Sequence, residues 1–194
     1  MKNSYKSVLA IILAMLINLG SGFAEDGVKQ FENFTLQDYN GKPHSLADFK
    51  DSKAIVIMFI ATQCPVSNAY NERMVKLYED YHAAGVAFVG INSNKQESVE
   101  EIREHSRKHG FQFPVLKDHN NRIADVFKAE FTPEIFVLDP DFRLLYHGRI
   151  DDSRREDRVK SQDLRQALDQ ILAGKKVSVT ETKAFGCTIK RVSK

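Results

Sequence analysis

The sequence predicts an α/β protein, a three-layer sandwich with a central mixed β-sheet flanked by helices. An unbroken apolar run, Ala54-Ile55-Val56-Ile57-Met58-Phe59-Ile60, has the composition of a strand covered on both faces. Segments with strand and helix periods alternate after it, the pattern that builds parallel strand pairs through helical crossovers. A strand–turn–strand stretch and a last amphipathic helix then add antiparallel pairing, which makes the sheet mixed.

The elements follow in chain order. Lys2 and Lys6 precede an apolar stretch over residues 8–19 that is too short to span a membrane comfortably. Gly22-Phe23-Ala24 then supplies the small residues that a signal peptidase reads. Residues 1–24 are therefore expected to be an export signal cleaved after Ala24, the alternative being an uncleaved N-terminal anchor. Residues 31–36 read as a first extended segment closed by the turn Asp38-Tyr39-Asn40-Gly41. After the strand over 54–60, a helix opens at Pro65. It places Tyr70, Met74, Leu77, Tyr78 and Tyr81 at helical spacing, and Gly85 stands where a glycine cap belongs. Residues 86–91 form a third strand. Ser98-Val99-Glu100-Glu101 is a capping box that opens a second helix, ending near Gly110. A short helix over 122–127 follows, then strands over 135–138 and 144–147 joined by Asp139-Pro140-Asp141-Phe142. A helix over 163–172, stopped by Gly174, closes the pass.

Residues 25–182 are expected to form one domain, with residues 183–194 a locally basic tail carrying Cys187. Loss of Lys2 and Lys6 with the signal takes the formal charge from +2 to zero. That balance argues against a nucleic acid or an anionic membrane as partner, and no membrane attachment is expected after signal cleavage. Export, to the periplasm or beyond, means an oxidising compartment where cysteine chemistry is disulfide chemistry.

Cys64 is the residue with the most chemistry. It lies between the end of a buried strand and the start of a helix, where unpaired N–H groups and the helix dipole stabilise a thiolate and lower its pKa. Placement alone leaves a second reading open, a buried cysteine acting as a small hydrophobe.

The run Phe59-Ile60-Ala61-Thr62-Gln63-Cys64-Pro65-Val66-Ser67 resembles the active-site segment of the thioredoxin-like superfamily, most closely its exported TlpA-like and redoxin (AhpC/TSA-related) branches. Thr132-Pro133-Glu134, followed by Ile135-Phe136-Val137-Leu138-Asp139, resembles the family's cis-proline segment. The resemblance implies a thioredoxin-like sandwich with Pro133 packed beside the sulfur of Cys64, and an oxidoreductase acting on thiols and disulfides. It makes Cys64 the expected nucleophile, and Thr132, Pro133, Pro65 and Ser67 the expected substrate-binding residues. An X–Pro bond is where a cis peptide is tolerated, and a cis bond at Pro133 would leave the Thr132 backbone free to pair with an extended substrate segment.

Three departures limit what the resemblance carries. The second active-site cysteine is replaced by Ser67, so no local disulfide can close. The buried carboxylate six residues before the nucleophile is replaced by Met58. The peroxide-binding pattern of peroxiredoxins is broken, with Ala61 and Ile57 at its threonine and proline positions, Thr62 displaced by one residue, and Thr132-Pro133 where an arginine would be. The other thiol is Cys187, in Phe185-Gly186-Cys187-Thr188. Two cysteines in an exported chain suggest a pair. Gly186 allows a tight turn that returns the tail to a surface, so Cys187 is expected to resolve mixed disulfides at Cys64, or else to act as a structural clasp.

Gln63, Ser67 and Asn68 flank the nucleophile and suit either hydrogen bonding to it or simple polarity at a helix start. His105 and His109 share a helix face, but no third ligand lies nearby and their neighbours are those of a solvated helix; neither a metal nor a cofactor is expected. Arg149, Asp151 and Asp152 read as a charged turn. The expected activity is exported thiol–disulfide oxidoreduction on a protein or small-molecule substrate with an unidentified redox partner. The alternatives are a redoxin-type thiol peroxidase and a non-catalytic binding module on the same fold.

Overall fold

The computed structural model describes residues 29–193. The expected export signal over residues 1–24 lies outside them. Among the described residues no helix is long and apolar enough to cross a membrane.

Seven strands form the main sheet: β1 (Thr35–Asp38), β2 (Pro43–Ser45), β3 (Ala54–Phe59), β4 (Val86–Asn92), β5 (Val115–Lys117), β7 (Glu134–Leu138) and β8 (Leu144–Gly148). Their spatial order is β2-β1-β5-β4-β3-β7-β8. β3 runs parallel to β4, and β4 to β5; all other pairs are antiparallel. The sheet is mixed, as predicted. A separate pair joins β6 (Phe131–Thr132) to β9 (Cys187–Thr188).

β3 is central because every one of its residues is apolar and fully buried. Ala54, Val56 and Met58 face a layer containing α2 (Asn71–Tyr81), α3 (Val99–His109) and α5 (Asp163–Leu172), through Met74, Leu77, Ile102, Leu164 and Leu168. Ile55, Ile57 and Phe59 face the opposite layer, built on α4 (Arg122–Phe127), Phe31 and Leu46. Each such aliphatic side chain removed from water contributes about 1.5–3 kcal/mol before entropy is counted. A one-residue slip of β3 would exchange its two faces between layers of different shape, so the packing fixes the register.

The predicted punctuation is present. Ser98 and Glu101 form the capping box of α3. Gly110 takes φ 69° at its end, and Gly85 takes φ 97° ahead of β4.

Two expectations are corrected. The first strand occupies 35–38 rather than 31–36, because Phe31 is spent on the apolar cluster with Phe127 instead of on a ladder. The helix expected to run on from Pro65 is two pieces: α1 (Pro65–Asn68) ends at a tight turn, and α2 restarts beyond Tyr70, whose hydroxyl reaches Asp151.

Candidate active site

β3 delivers the chain to a loop, residues 60–63, and Cys64 is the N-cap of α1 with Pro65 in its first turn. The cap is made by sulfur: Ser67 N–H donates to Cys64 Sγ at 3.3 Å. Ser67 Oγ in turn accepts from the backbone N–H of Ala61 at 3.2 Å, which fixes the loop on the other side of the cysteine. Ser67 is buried and Pro65 exposed. Asn68 Nδ2 donates to Thr62 O, and Gln63 Nε2 to Glu101.

Cys64 is disulfide-bonded to Cys187, with Cα atoms 6.0 Å apart, inside the usual span for such a bond. The sulfur is therefore not an open anion in this state. Cys64 is 3% exposed beneath the tail, whereas Cys187 is half-buried. Thr132 O lies 3.3 Å from Cys64 Sγ. The bonded sulfur carries no hydrogen, so this is a contact now and becomes a donor–acceptor pair only when Cys64 is a thiol. The Thr132–Pro133 bond is cis, and Thr132 and Pro133 are both buried at this point.

The tail reaches the site as a strand. Thr132 pairs with Cys187 and Phe131 with Thr188, antiparallel. Ile189 N–H donates to Glu130 O at 2.9 Å, Lys190 N–H to Asn94 Oδ1 at 2.7 Å, and Lys95 N–H to Lys190 O at 2.9 Å. Arg191 pairs with Asp125. Upstream, the Tyr70 and Phe185 rings meet edge to face at 6.4 Å.

Two buried carboxylates that sequence reading passed over hold this arrangement. Glu97 is 1% exposed and its oxygens accept four N–H groups: the backbone of Thr62 and Gln63, and the side chains of Asn92 and Asn94. It thus fixes the two residues before Cys64. Beside it the Lys117 ammonium, also buried, donates to Asn92 Oδ1, Asn94 O and Glu97 O. Burial pushes the Lys117 pKa down, partly offset by the Glu97 and Asp118 charges. Glu134, next to Pro133, accepts from the backbone N–H of Glu130 and Phe131 at 2.7 and 2.8 Å and bonds His147 Nε2 at 2.7 Å. It shapes the strand that receives the tail. Met58, where the family's carboxylate would be, is inert and fully buried. A signal existed for Glu97: a polar run, Asn92 to Glu97, continues straight from a buried strand.

Asp151 is a correction. It is not part of a solvated turn but 3% exposed, accepting from Tyr70 Oη, Arg73 and Ser153 N–H. Burial first, then the Asp151 charge, raises the Tyr70 pKa well above its ordinary value. A cleft of about 480 Å³ beside Arg73, Lys76, Asp151 and Arg165 has neither cysteine in its lining, so it is separate from the sulfur chemistry. The His105 and His109 rings lie tilted against each other with centroids 4.4 Å apart, and burial with the neighbouring His109 pushes the His105 pKa down to about 4. Among the described residues no group of three potential ligands surrounds them.

Comparison with known proteins agrees with the geometry. Residues 28–147 match the family described as AhpC/TSA. The crystal structure of a hypothetical protein from Sinorhizobium meliloti superposes with TM-score 0.81 at 36% identity, covering 86% of this chain and 95% of that one. The thiol-disulfide oxidoreductase ResA of Bacillus subtilis is 27% identical over 113 residues, which span 58% of this chain and 62% of that protein's length. The chloroplastic peroxiredoxin Q of Sedum lineare is 27% identical over 133 residues, 64% of this chain and 70% of that protein. The fold is thioredoxin-like α/β.

Proposed function

We propose that this chain, which belongs to the AhpC/TSA family, is an exported thiol–disulfide oxidoreductase with Cys64 as nucleophile and Cys187 as resolving thiol. The observation that carries the reading is the Cys64–Cys187 disulfide lying across the Thr132 strand. Similarity to ResA supports the reaction class. In the reduced protein the Cys64 thiolate, held by Ser67 N–H, attacks one sulfur of a substrate disulfide. A Cys64–substrate bond forms, the substrate S–S bond breaks, and the other substrate sulfur leaves as a thiolate that takes a proton. Cys187, losing its proton, then attacks Cys64 Sγ and expels the second substrate thiolate. The substrate gains two electrons and the protein closes its disulfide. The same steps reversed oxidise a dithiol. Thr132 and Pro133 line the approach, with Pro65 and Ser67 on the opposite side.

In this reading residues 1–24 direct the chain to the periplasm and are removed, residues 25–182 form the redox domain, and residues 183–194 bring the second thiol. The substrate is a protein or small-molecule thiol or disulfide, and the chemistry needs no cofactor, nucleic acid or membrane.

The test is an insulin-reduction assay on wild type, Cys64→Ser and Cys187→Ser with a dithiol reductant. Turnover in wild type, its loss in Cys64→Ser, and a trapped mixed disulfide in Cys187→Ser are the expected results. Equal rates in all three would remove Cys64 from the chemistry. Similarity to peroxiredoxin Q supports a second reading, a thiol peroxidase. Against it, the Thr62 hydroxyl finds no hydrogen-bond partner, so it does not bond Cys64 Sγ as a peroxide-activating group would. Rapid sulfenic acid formation at Cys64 by hydrogen peroxide would favour the peroxidase.

A further inference from the structure

We propose that the strand carrying Cys187 imitates a bound substrate, and that the groove it fills selects extended polypeptides in which the reacting cysteine follows glycine and precedes an apolar residue at the second position on. This rests on the oxidoreductase reading and names its substrate class.

The contacts that hold the strand divide into two kinds. Most are main-chain: the Thr132–Cys187 and Phe131–Thr188 pairs, Ile189 N–H to Glu130 O, and Lys190 on both sides to Asn94 and Lys95. They would accept any extended peptide, which is how a strand added to a sheet edge gains affinity without specificity. Two positions are selective. A Cβ built on Gly186 would stand 2.1 Å from Thr132 O and 2.7 Å from Thr132 C, backbone atoms that cannot swing aside. Gly186 is not in the left-handed region, so the glycine provides clearance and not an unusual backbone angle. Two residues beyond the cysteine, Ile189 is 6% exposed and joins the cluster of Phe59, Ile91, Ile123 and Phe127. Thr188 and Lys190, between and after, are exposed. That alternation is the period of a strand, with the cysteine and the isoleucine turned to the protein. A small thiol would use none of these features, whereas a polypeptide with glycine, cysteine, any residue and a branched apolar residue in sequence would use all of them. Such a segment displaces the tail from β6, places its sulfur where Cys187 Sγ now lies, and yields to the tail when Cys187 resolves the mixed disulfide.

The test uses full-length Cys187→Ser, in which Cys64 is the remaining thiol, and synthetic peptides of sequence 184–190 presented as mixed disulfides with a good leaving thiol. Transfer of the peptide to Cys64 is followed by mass spectrometry. The parent peptide should react about tenfold or more faster than one with alanine in place of the glycine, the size of penalty that an unaccommodated methyl produces. Aspartate in place of the isoleucine should slow it comparably. Competition from the retained tail is the same for every peptide and leaves the ratios intact. A small aromatic nitrobenzoate disulfide reports Cys64 reactivity by itself. Equal peptide rates with a reactive Cys64 overturn the selectivity and leave the oxidoreductase reading standing, while an unreactive Cys64 overturns both. A second measurement does not depend on that variant. Gly186→Ala in the otherwise unchanged protein should shift the glutathione ratio that half-closes the disulfide by about tenfold toward oxidant, and an unchanged ratio overturns the clearance argument.

Discussion

Glu97→Gln changes one oxygen to an amide nitrogen at nearly constant shape, so its cost can be worked out bond by bond. Each carboxylate oxygen of Glu97 accepts two N–H groups: Oε1 from Gln63 N and Asn94 Nδ2, Oε2 from Thr62 N and Asn92 Nδ2. All four donors point inward. Whichever way the glutamine amide is turned, its NH2 group faces two N–H donors and satisfies neither. Hydrogen bonds to a charged acceptor are worth about 1.5–3 kcal/mol each, so losing two predicts a destabilisation of about 3–6 kcal/mol. In a domain of this size that is about 10–15 °C in melting temperature. The loss is also local, because two of the donors are the backbone amides of the residues leading to Cys64. Urea titration followed by circular dichroism reads the stability, and hydrogen exchange reads the amides of Thr62 and Gln63. The variant should lose stability and protection at those two amides together. A loss below about 1 kcal/mol, or exchange at Thr62 and Gln63 no faster than in wild type, would refute the assignment of Glu97 as the clamp of this loop.

Other outcomes follow from the same contacts. Lys117→Met leaves three buried oxygens without their donor and the Glu97 charge without its neighbour, and should cost about 3–5 kcal/mol; because the two sites share Asn92 and Asn94, Glu97→Gln and Lys117→Met combined should cost less than the sum, as a double-mutant cycle would show. Opening the disulfide by Cys187→Ser removes a cross-link between residues 123 apart, which the chain-entropy account values at about 5 kcal/mol and about 10–20 °C of melting temperature; thermal melts of the variant and the oxidised wild type should differ by that order. Acid should weaken the protein through His105, whose pKa falls from 6.5 to about 4 on folding through burial, with His109 and Lys108 opposing its charge and Glu97 favouring it. The unfolded chain binds more protons between these values, so this stability is complete above pH 6.5 and is lost as pH falls toward 4. The ring is partly exposed, so about 1–2 kcal/mol is expected, and His105→Gln should flatten the pH dependence of stability over that window.

The sheet was legible because its signals are local. The unbroken apolar composition of residues 54–60, the Ser98–Glu101 box and the glycines at 85 and 110 each act within one turn or strand. β2 was missed because three residues beginning with proline have no period to detect, and its pairing depends on β1 across the turn. β6 and β9 are two residues each, and each is a strand only because the other is present, more than fifty positions away. The cysteine pair was legible from count and compartment. That the tail arrives as a strand paired with Thr132 and buries Cys64 almost completely was not, since neither the pairing nor the burial leaves a trace in the neighbours of Cys64. Glu97, Glu134 and Asp151 illustrate the same limit. Acidic side chains read as solvated until the donors that surround them are known; for Glu97 and Asp151 the deciding donors lie far away in the chain, and for Glu134 they are backbone N–H groups, to which composition gives no clue. Met58 stands where the resemblance would put a carboxylate, and nothing at that position reveals that Glu97 and Glu134 flank the site from other elements.

The separation of the two sulfurs also sets an order of events during biosynthesis. Cys187 follows Cys64 by 123 residues, and at about 5–20 residues per second a ribosome delivers it about 6–25 s later. β4, β5, β6, β7 and β8 are all made in that interval, while the earlier sulfur has no partner of its own. Any bond it forms in that time joins it to another molecule, and exchange with Cys187 is what releases that molecule. Closure of the pair therefore waits on translation through β9, the strand that carries the second sulfur.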